Sequence, residues 1–165
     1  SLLSFLIIGI ATILFFINVV ALVKIYRKKE DFELMEFKPD ATLVAKFLRF
    51  YAAVIHTYFP SFTLTDEENA IRFVVLRDMV IANVFVATLL PDGTGLVQFN
   101  YTVPQYRDYK VGRFIFEKEK DYLLSRGIRK LVYTEVSNAG HRAFLQRMGF
   151  RAETVQGKEG MVKIL

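Results

Sequence analysis

The chain has 165 residues, no cysteine, two histidines and a formal charge of +5, and 53% of it is hydrophobic. The missing cysteines exclude a disulfide framework, a zinc–thiolate site and a cysteine nucleophile, and the two histidines form no metal-ligand grouping. Four positive charges sit together at Lys24, Arg27, Lys28 and Lys29, so the remaining chain carries only 5 − 4 = +1. The isoelectric point of about 9.4 is therefore no sign of nucleic-acid binding.

Residues 1–23 contain no charged side chain, and the apolar run over residues 2–23 is long enough to cross a hydrocarbon core of ~30 Å as a helix. A cleaved signal peptide fits less well, because the basic residues follow the apolar run. By the positive-inside rule that flank is cytoplasmic, which predicts a single span in this chain, in an inner or plasma membrane, with the C-terminal part on the cytoplasmic side. The basic cluster reads as a membrane flank, with a specific anionic-lipid site as the sharper alternative. The chain starts at Ser1 without a methionine, so a fragment with upstream spans is expected, and a homodimer is compatible with it. The organisation is then an anchor over residues 1–29 and a domain over 30–165.

In the domain, alternation predicts a strand over residues 32–37. Leu43, Phe47, Phe50, Tyr51 and Val54 recur at helical spacing over 41–58, and Pro60 ends that helix. Strands follow over 70–76, 79–90 and 96–103, the last two joined by the turn Pro91-Asp92-Gly93-Thr94-Gly95. An amphipathic helix is expected over 112–126 with Gly127 as its stop, then a strand over 130–136, a helix over 140–148, and strands over 151–154 and 161–165. This order describes an α+β domain, a mixed and mostly antiparallel sheet flanked by helices and preceded by one transmembrane helix.

Two segments carry chemistry. In Tyr101-Thr-Val-Pro-Gln-Tyr-Arg-Asp-Tyr-Lys-Val-Gly-Arg-Phe114 a strand runs into a proline, a basic turn and a helix, gathering backbone N–H groups and cations where a phosphate could bind. The second is Asn138-Ala-Gly-His-Arg-Ala-Phe-Leu-Gln-Arg-Met-Gly-Phe150. Together they resemble the acetyl-coenzyme A site of the GNAT acetyltransferase superfamily, over roughly residues 32–165. That family's Arg/Gln-x-x-Gly-x-Gly/Ala signature is met here by Arg107 and Gly112, with Lys110 in place of the first glycine. Asn138, Gly149 and Phe150 match the later pattern, and the asparagine is expected where the fifth strand splays from the fourth to admit the pantetheine arm.

The resemblance implies an N-acetyltransferase that binds acetyl-CoA as co-substrate, without a metal, and transfers the acetyl group to an amine by direct attack. Tyr101, Thr102, Val103, Arg107, Asp108, Tyr109, Lys110, Val111, Gly112, Arg113 and Asn138 would form the cofactor site, with a backbone amide near residues 101–103 polarising the carbonyl. Lysine at position 110 either narrows the phosphate cradle or adds charge to it, and Asp108 adds an unfavourable negative charge. The family's tyrosine acid, seven residues after the asparagine, is replaced by Leu145, leaving Tyr101, Tyr133 and Tyr109 as substitutes. Glu135 and His141 are the candidate bases. Residues 41–66, with His56, Tyr58, Phe59 and Phe62, and the acidic Asp66-Glu67-Glu68 would shape the site for an amine acceptor whose identity is open. The alternative is a catalytically weak or inactive GNAT-fold module that binds acyl-CoA, or regulates or assembles a membrane protein; Lys110 and Leu145 favour it.

Overall fold

A computed structural model describes residues 1–28 and 31–165, without the side chains of residues 26–28. The side chains of Arg27 and Lys28, all of Lys29, and the expected boundary at Glu30 lie outside the described residues. Helix α1 (Leu2–Lys28) contains an apolar stretch, Leu2–Ile25, with mean hydropathy 2.8 and none of it buried. By length and composition it can cross a bilayer. Its polar side chains bond within the helix: Thr12 Oγ1 donates to the Ile8 carbonyl and Asn18 Nδ2 to the Leu14 carbonyl, each at 2.8 Å. That leaves few polar groups in need of water, as a lipid environment requires.

The rest of the chain forms a seven-stranded sheet ordered β1-β2-β3-β4-β5-β7-β6. The strands are β1 (Phe32–Glu36), β2 (Ala70–Arg77), β3 (Val80–Leu89), β4 (Thr94–Thr102), β5 (Lys130–Thr134), β6 (Arg151–Val155) and β7 (Lys158–Ile164). All neighbours are antiparallel except β4 and β5, which pair in parallel over only three positions, Thr94–Leu96 against Lys130–Val132. Beyond Leu96 and Val132 the two strands separate. A bulge at Gln98, where the β3–β4 register shifts, bends β4, and Glu135 (φ +57°) turns the chain out of β5 earlier than the apolar run suggested.

On one face α2 (Thr42–Phe50) and α3 (Ala52–Tyr58) cover Val74, Val84, Phe99 and Tyr101, with Val44 and Ile55 as their buried contacts. The helix expected over 41–58 is thus broken at Tyr51, whose backbone (φ −95°, ψ 11°) turns its ring onto Phe47 and Tyr101. The other face carries α4 (Lys110–Arg113), a π-helical turn (Phe114–Lys118), α5 (Lys120–Ser125) and α6 (Ala139–Arg147) over a core built on the stacked pair Phe73–Phe85, 4.7 Å apart. A regular helix was expected from residue 112. Phe114, Ile115 and Phe116 are all buried, and three successive residues sweep too wide an arc for one face of an α-helix. The i−5 bond from Glu119 N–H to the Phe114 carbonyl, 2.9 Å, absorbs the difference.

The tight turns follow local chemistry. Gln156 and Gly157, both at positive φ, join β6 to β7 and extend β7 three residues before its expected start. Asp78 (φ +49°) and Met79 (φ +65°) join β2 to β3 in the same left-handed manner, although neither is glycine.

Candidate functional site

The separation of β4 and β5 opens a cleft of about 930 Å³ that runs between the two faces of the sheet. Tyr58, Phe59, Pro60 and Phe62 wall it on the α2–α3 side, and His141 and Phe144 of α6 on the other. Of the residues expected at a cofactor site, Tyr101, Thr102, Arg107, Tyr109, Val111, Gly112 and Asn138 line it, as do Glu135 and His141. Val103, Asp108, Lys110 and Arg113 are not on its wall.

The floor is a hydrogen-bonded chain across three strands. Asn83 Nδ2 donates to Asn100 Oδ1 at 2.7 Å and to Thr102 Oγ1 at 2.9 Å, and Asn100 Nδ2 donates to Tyr133 Oη at 2.8 Å. The Tyr133 hydroxyl therefore accepts from Asn100, at the wall of the cleft, and its own proton is not used in this chain of bonds. Burial pushes this phenol above its ordinary 10, so it stays protonated at neutral pH. Asn83 and Asn100 escape pattern reading because strand assignment rests on their apolar neighbours. Asparagine is disfavoured inside strands, and two of them in adjacent strands, diagonal to each other across β3 and β4, were the available signal.

Tyr101 faces the opposite side, among Phe47, Tyr51 and Phe99. Its hydroxyl is buried and has no hydrogen-bond partner among the described residues. Desolvation raises its pKa, against the opposing effect of Arg107, whose guanidinium lies 5.2 Å from the ring centre. Arg107 Nε also donates to the Thr102 carbonyl at 2.8 Å. Since the Val103 N–H donates to Ala82 of β3, strand alternation turns the backbone of Thr102 the other way, toward the open edge.

The turn into α4 is made by Tyr109, in the left-handed region at φ +69°, while Lys110 already belongs to the helix. Asp108 Oδ1 accepts from the Lys110 N–H at 3.2 Å, and its other oxygen is 3.8 Å from Lys110 Nζ. The helix N-terminus thus holds a carboxylate from its own chain. Gly112 is buried beneath α6: a Cβ there would stand 2.7 Å from Phe144 Cζ and 3.1 Å from Met148 Sδ. Phe144 stacks in turn on Tyr109 at 6.0 Å, and Arg147 covers the far side of that ring at 4.8 Å. The glycine is needed for helix contact, whatever else it serves.

Asn138 caps α6, its Oδ1 accepting from the His141 N–H at 2.9 Å. His141 meets the Tyr133 ring edge-on at 5.4 Å, and burial lowers its pKa below the ordinary 6.5. Glu135 is exposed and paired with Lys158 Nζ at 2.5 Å. That ammonium holds its carboxyl below the usual range, which makes it a weak base. Leu145, in the position of the family's acid, is fully buried in the core and reaches no cleft.

Two measurements follow from this packing. Gly112→Ala should destabilise the chain by about 1–3 kcal/mol through the clash with Phe144, and adding Phe144→Leu should restore most of the loss in urea unfolding. Because His141 is held neutral, the unfolded chain binds its proton first as pH falls below 6.5, so stability should fall there until the folded pKa is passed. His141→Gln should flatten this part of the unfolding-midpoint profile, and the His141 ring protons should titrate below 6.5.

No protein-family profile matches the chain, and no curated protein matches it. Among solved structures it is similar to an acetyltransferase from Thermus thermophilus (TM-score 0.63, 18% identity, covering 83% of this chain and 99% of that one). It is also similar to a GNAT-family acetyltransferase from Streptococcus pneumoniae (TM-score 0.60, 19% identity, 82% and 99%). A third similar structure is the PaiA N-acetyltransferase from Thermoplasma acidophilum in complex with coenzyme A (TM-score 0.60, 14% identity, 82% and 100%). The sheet with its splayed β4 and β5, and the helices on both faces, is the fold of the GNAT acetyltransferases.

Proposed function

We propose that the chain is a membrane-tethered N-acyltransferase that takes an acyl group from acyl-CoA, acetyl-CoA first among them, and passes it to an amine. The observation that carries this reading is the Tyr133 hydroxyl, held by Asn100 with its proton free, at the place where β4 and β5 part. The cleft suits the narrow arm of a coenzyme A, and the neighbour crystallised with coenzyme A has the same fold. When bound, acyl-CoA would supply the thioester. Thr102 and Asn100 of β4 present backbone groups along the open edge, the Tyr133 hydroxyl stands ready to give its proton to a departing thiolate, and the unpartnered Tyr101 hydroxyl on the other side can accept from an incoming amine. Of the two candidate bases Glu135 is ion-paired, and His141 is neutral at physiological pH but packs on Tyr133, across the cleft from Tyr101, so a proton leaving the amine would reach it through water in the cleft. Helix α1 holds the domain at the membrane, with the basic flank placing it on the cytoplasmic side.

A second reading, a binding module without turnover, is favoured by the phosphate end of the site. There Asp108 takes the Lys110 N–H and Phe144 covers Gly112, so a pyrophosphate has to displace the carboxylate. The full chain in detergent should gain thermal stability with coenzyme A or acetyl-CoA, as any ligand selective for the folded state requires. Asp108→Ala should enlarge that shift, and no shift at millimolar ligand would refute both readings. Coenzyme A release from acetyl-CoA with a panel of amino acids, polyamines and aminophospholipids separates them. Given an active amine, Tyr133→Phe should lower kcat roughly 10²-fold with little change in KM for acetyl-CoA.

A further inference from the structure

Three features lie at one end of the sheet. β1 begins at Phe32, opposite Arg77 at the end of β2, and Arg77 stands opposite Val80 at the start of β3. Asn83 of β3 pairs with Thr102, the last residue of β4, at the end where β4 and β5 have separated. The exit from α1, the Asp78–Met79 tip of the β2–β3 hairpin and the open end of the cleft are therefore neighbours in the sheet. Chain length confines this end. From Lys28 to Phe32 there are four residue steps, at most ~14 Å, and three further helical residues bring the apolar span's last residue, Ile25, within roughly 20 Å of β1.

The tip itself is unusual in two independent ways. Met79 is 80% exposed and Val80 56% exposed, both on the hairpin nearest the tether. Met79 also holds the left-handed φ of +65° that a two-residue turn of this type normally gives to glycine. A large apolar side chain thus occupies a strained position and contributes nothing to the core. Strain retained at an exposed tip points to a use outside the fold.

We propose that this end of the sheet rests on the bilayer that α1 spans, with Met79 and Val80 in its interfacial layer. The inference depends on α1 being a membrane span. The occupant of the tip is then the lipid surface at the end of the chain's own anchor, and the cleft opens toward that surface.

The absence of native cysteines makes single-cysteine labelling clean. The full chain is reconstituted in phosphatidylcholine–phosphatidylglycerol vesicles, with a fluorophore on Met79→Cys, Val80→Cys, Phe50→Cys, Ile13→Cys or Ser125→Cys. Ser125 ends α5 at the opposite end of the sheet, near the Arg129–Gly93 contact. Lipids spin-labelled near the glycerol should quench Met79→Cys and Val80→Cys at least roughly twofold more than Ser125→Cys, as an interfacially seated group requires. Lipids labelled near the acyl terminus should quench Ile13→Cys. Quenching at Met79 no greater than at Ser125, with Ile13 quenched, overturns the docking and leaves the span intact. If Ile13 is also unquenched, the span falls and the docking with it. Quenching at Phe50 without quenching at Met79 would mean that the exposed α2–α3 face meets the lipid, and a Met79→Cys cross-link between copies without quenching would mean that a second copy covers the tip. Either result overturns the proposal.

Discussion

The short parallel pairing of β4 with β5 governs the rest of the domain. Only three positions pair before the strands part, and the cleft exists because of that failure to continue. Backbone groups that a longer ladder would consume are left to other partners. The Thr102 carbonyl goes to Arg107, and the side chains of Asn83, Asn100 and Tyr133 bridge the strands in its place. What holds the strands apart is distributed: the Gln98 bulge bends β4 from one side, while β7 pairs with β5 along its whole length from the other. Glu135 then leaves the sheet in a left-handed conformation, its N–H still reaching the Glu159 carbonyl of β7 at 3.4 Å.

The second constraint is the contact of α6 with α4. Gly112 lets Phe144 lie against the helix, and the Tyr109 ring, brought over by its left-handed backbone, closes the stack beneath Arg147. Aromatic stacking and a covering guanidinium each add modest stability beyond the area they bury. Asp108 takes the first helical N–H. A ligand anion there competes with an internal carboxylate for the same donor, and its gain is the difference between the two.

Much of the architecture was legible in the sequence because it rests on period and punctuation. The seven strands and the proline stop after α3 are local signals. The place of Asn138 beside the splay was implied by the family resemblance, and the structure puts it four residues after the end of β5, on the cleft wall. What could not be read depends on contacts between distant segments. The π turn arises because Phe114, Ile115 and Phe116 all find core partners. Gly112 was read as the matching glycine of the cofactor turn, and the atom nearest its missing Cβ comes from residue 144. Lys110 was read as either narrowing the turn or adding charge to it; the left-handed backbone lies one residue earlier, at Tyr109. The motif gives the spacing of the turn, whereas the packing of α6 decides what fills it.

Leu145 and Tyr133 are best understood together. A tyrosine at 145 would place a hydroxyl in a core position now sealed by apolar neighbours, where leaving it unbonded is costly. Leucine removes that polar group and lets α6 seat fully on the sheet. The hydroxyl at the cleft is instead carried by β5 and oriented from β4 by Asn100. Its position is then set by the same two strands that create the opening, so strand separation and hydroxyl placement cannot drift independently. The neighbouring Phe144 of the same helix packs against Gly112 and Tyr109. Leu145 in the core and Phe144 against Gly112 are thus adjacent contacts of one helix, so the seating of α6 and the packing of the turn into α4 are linked.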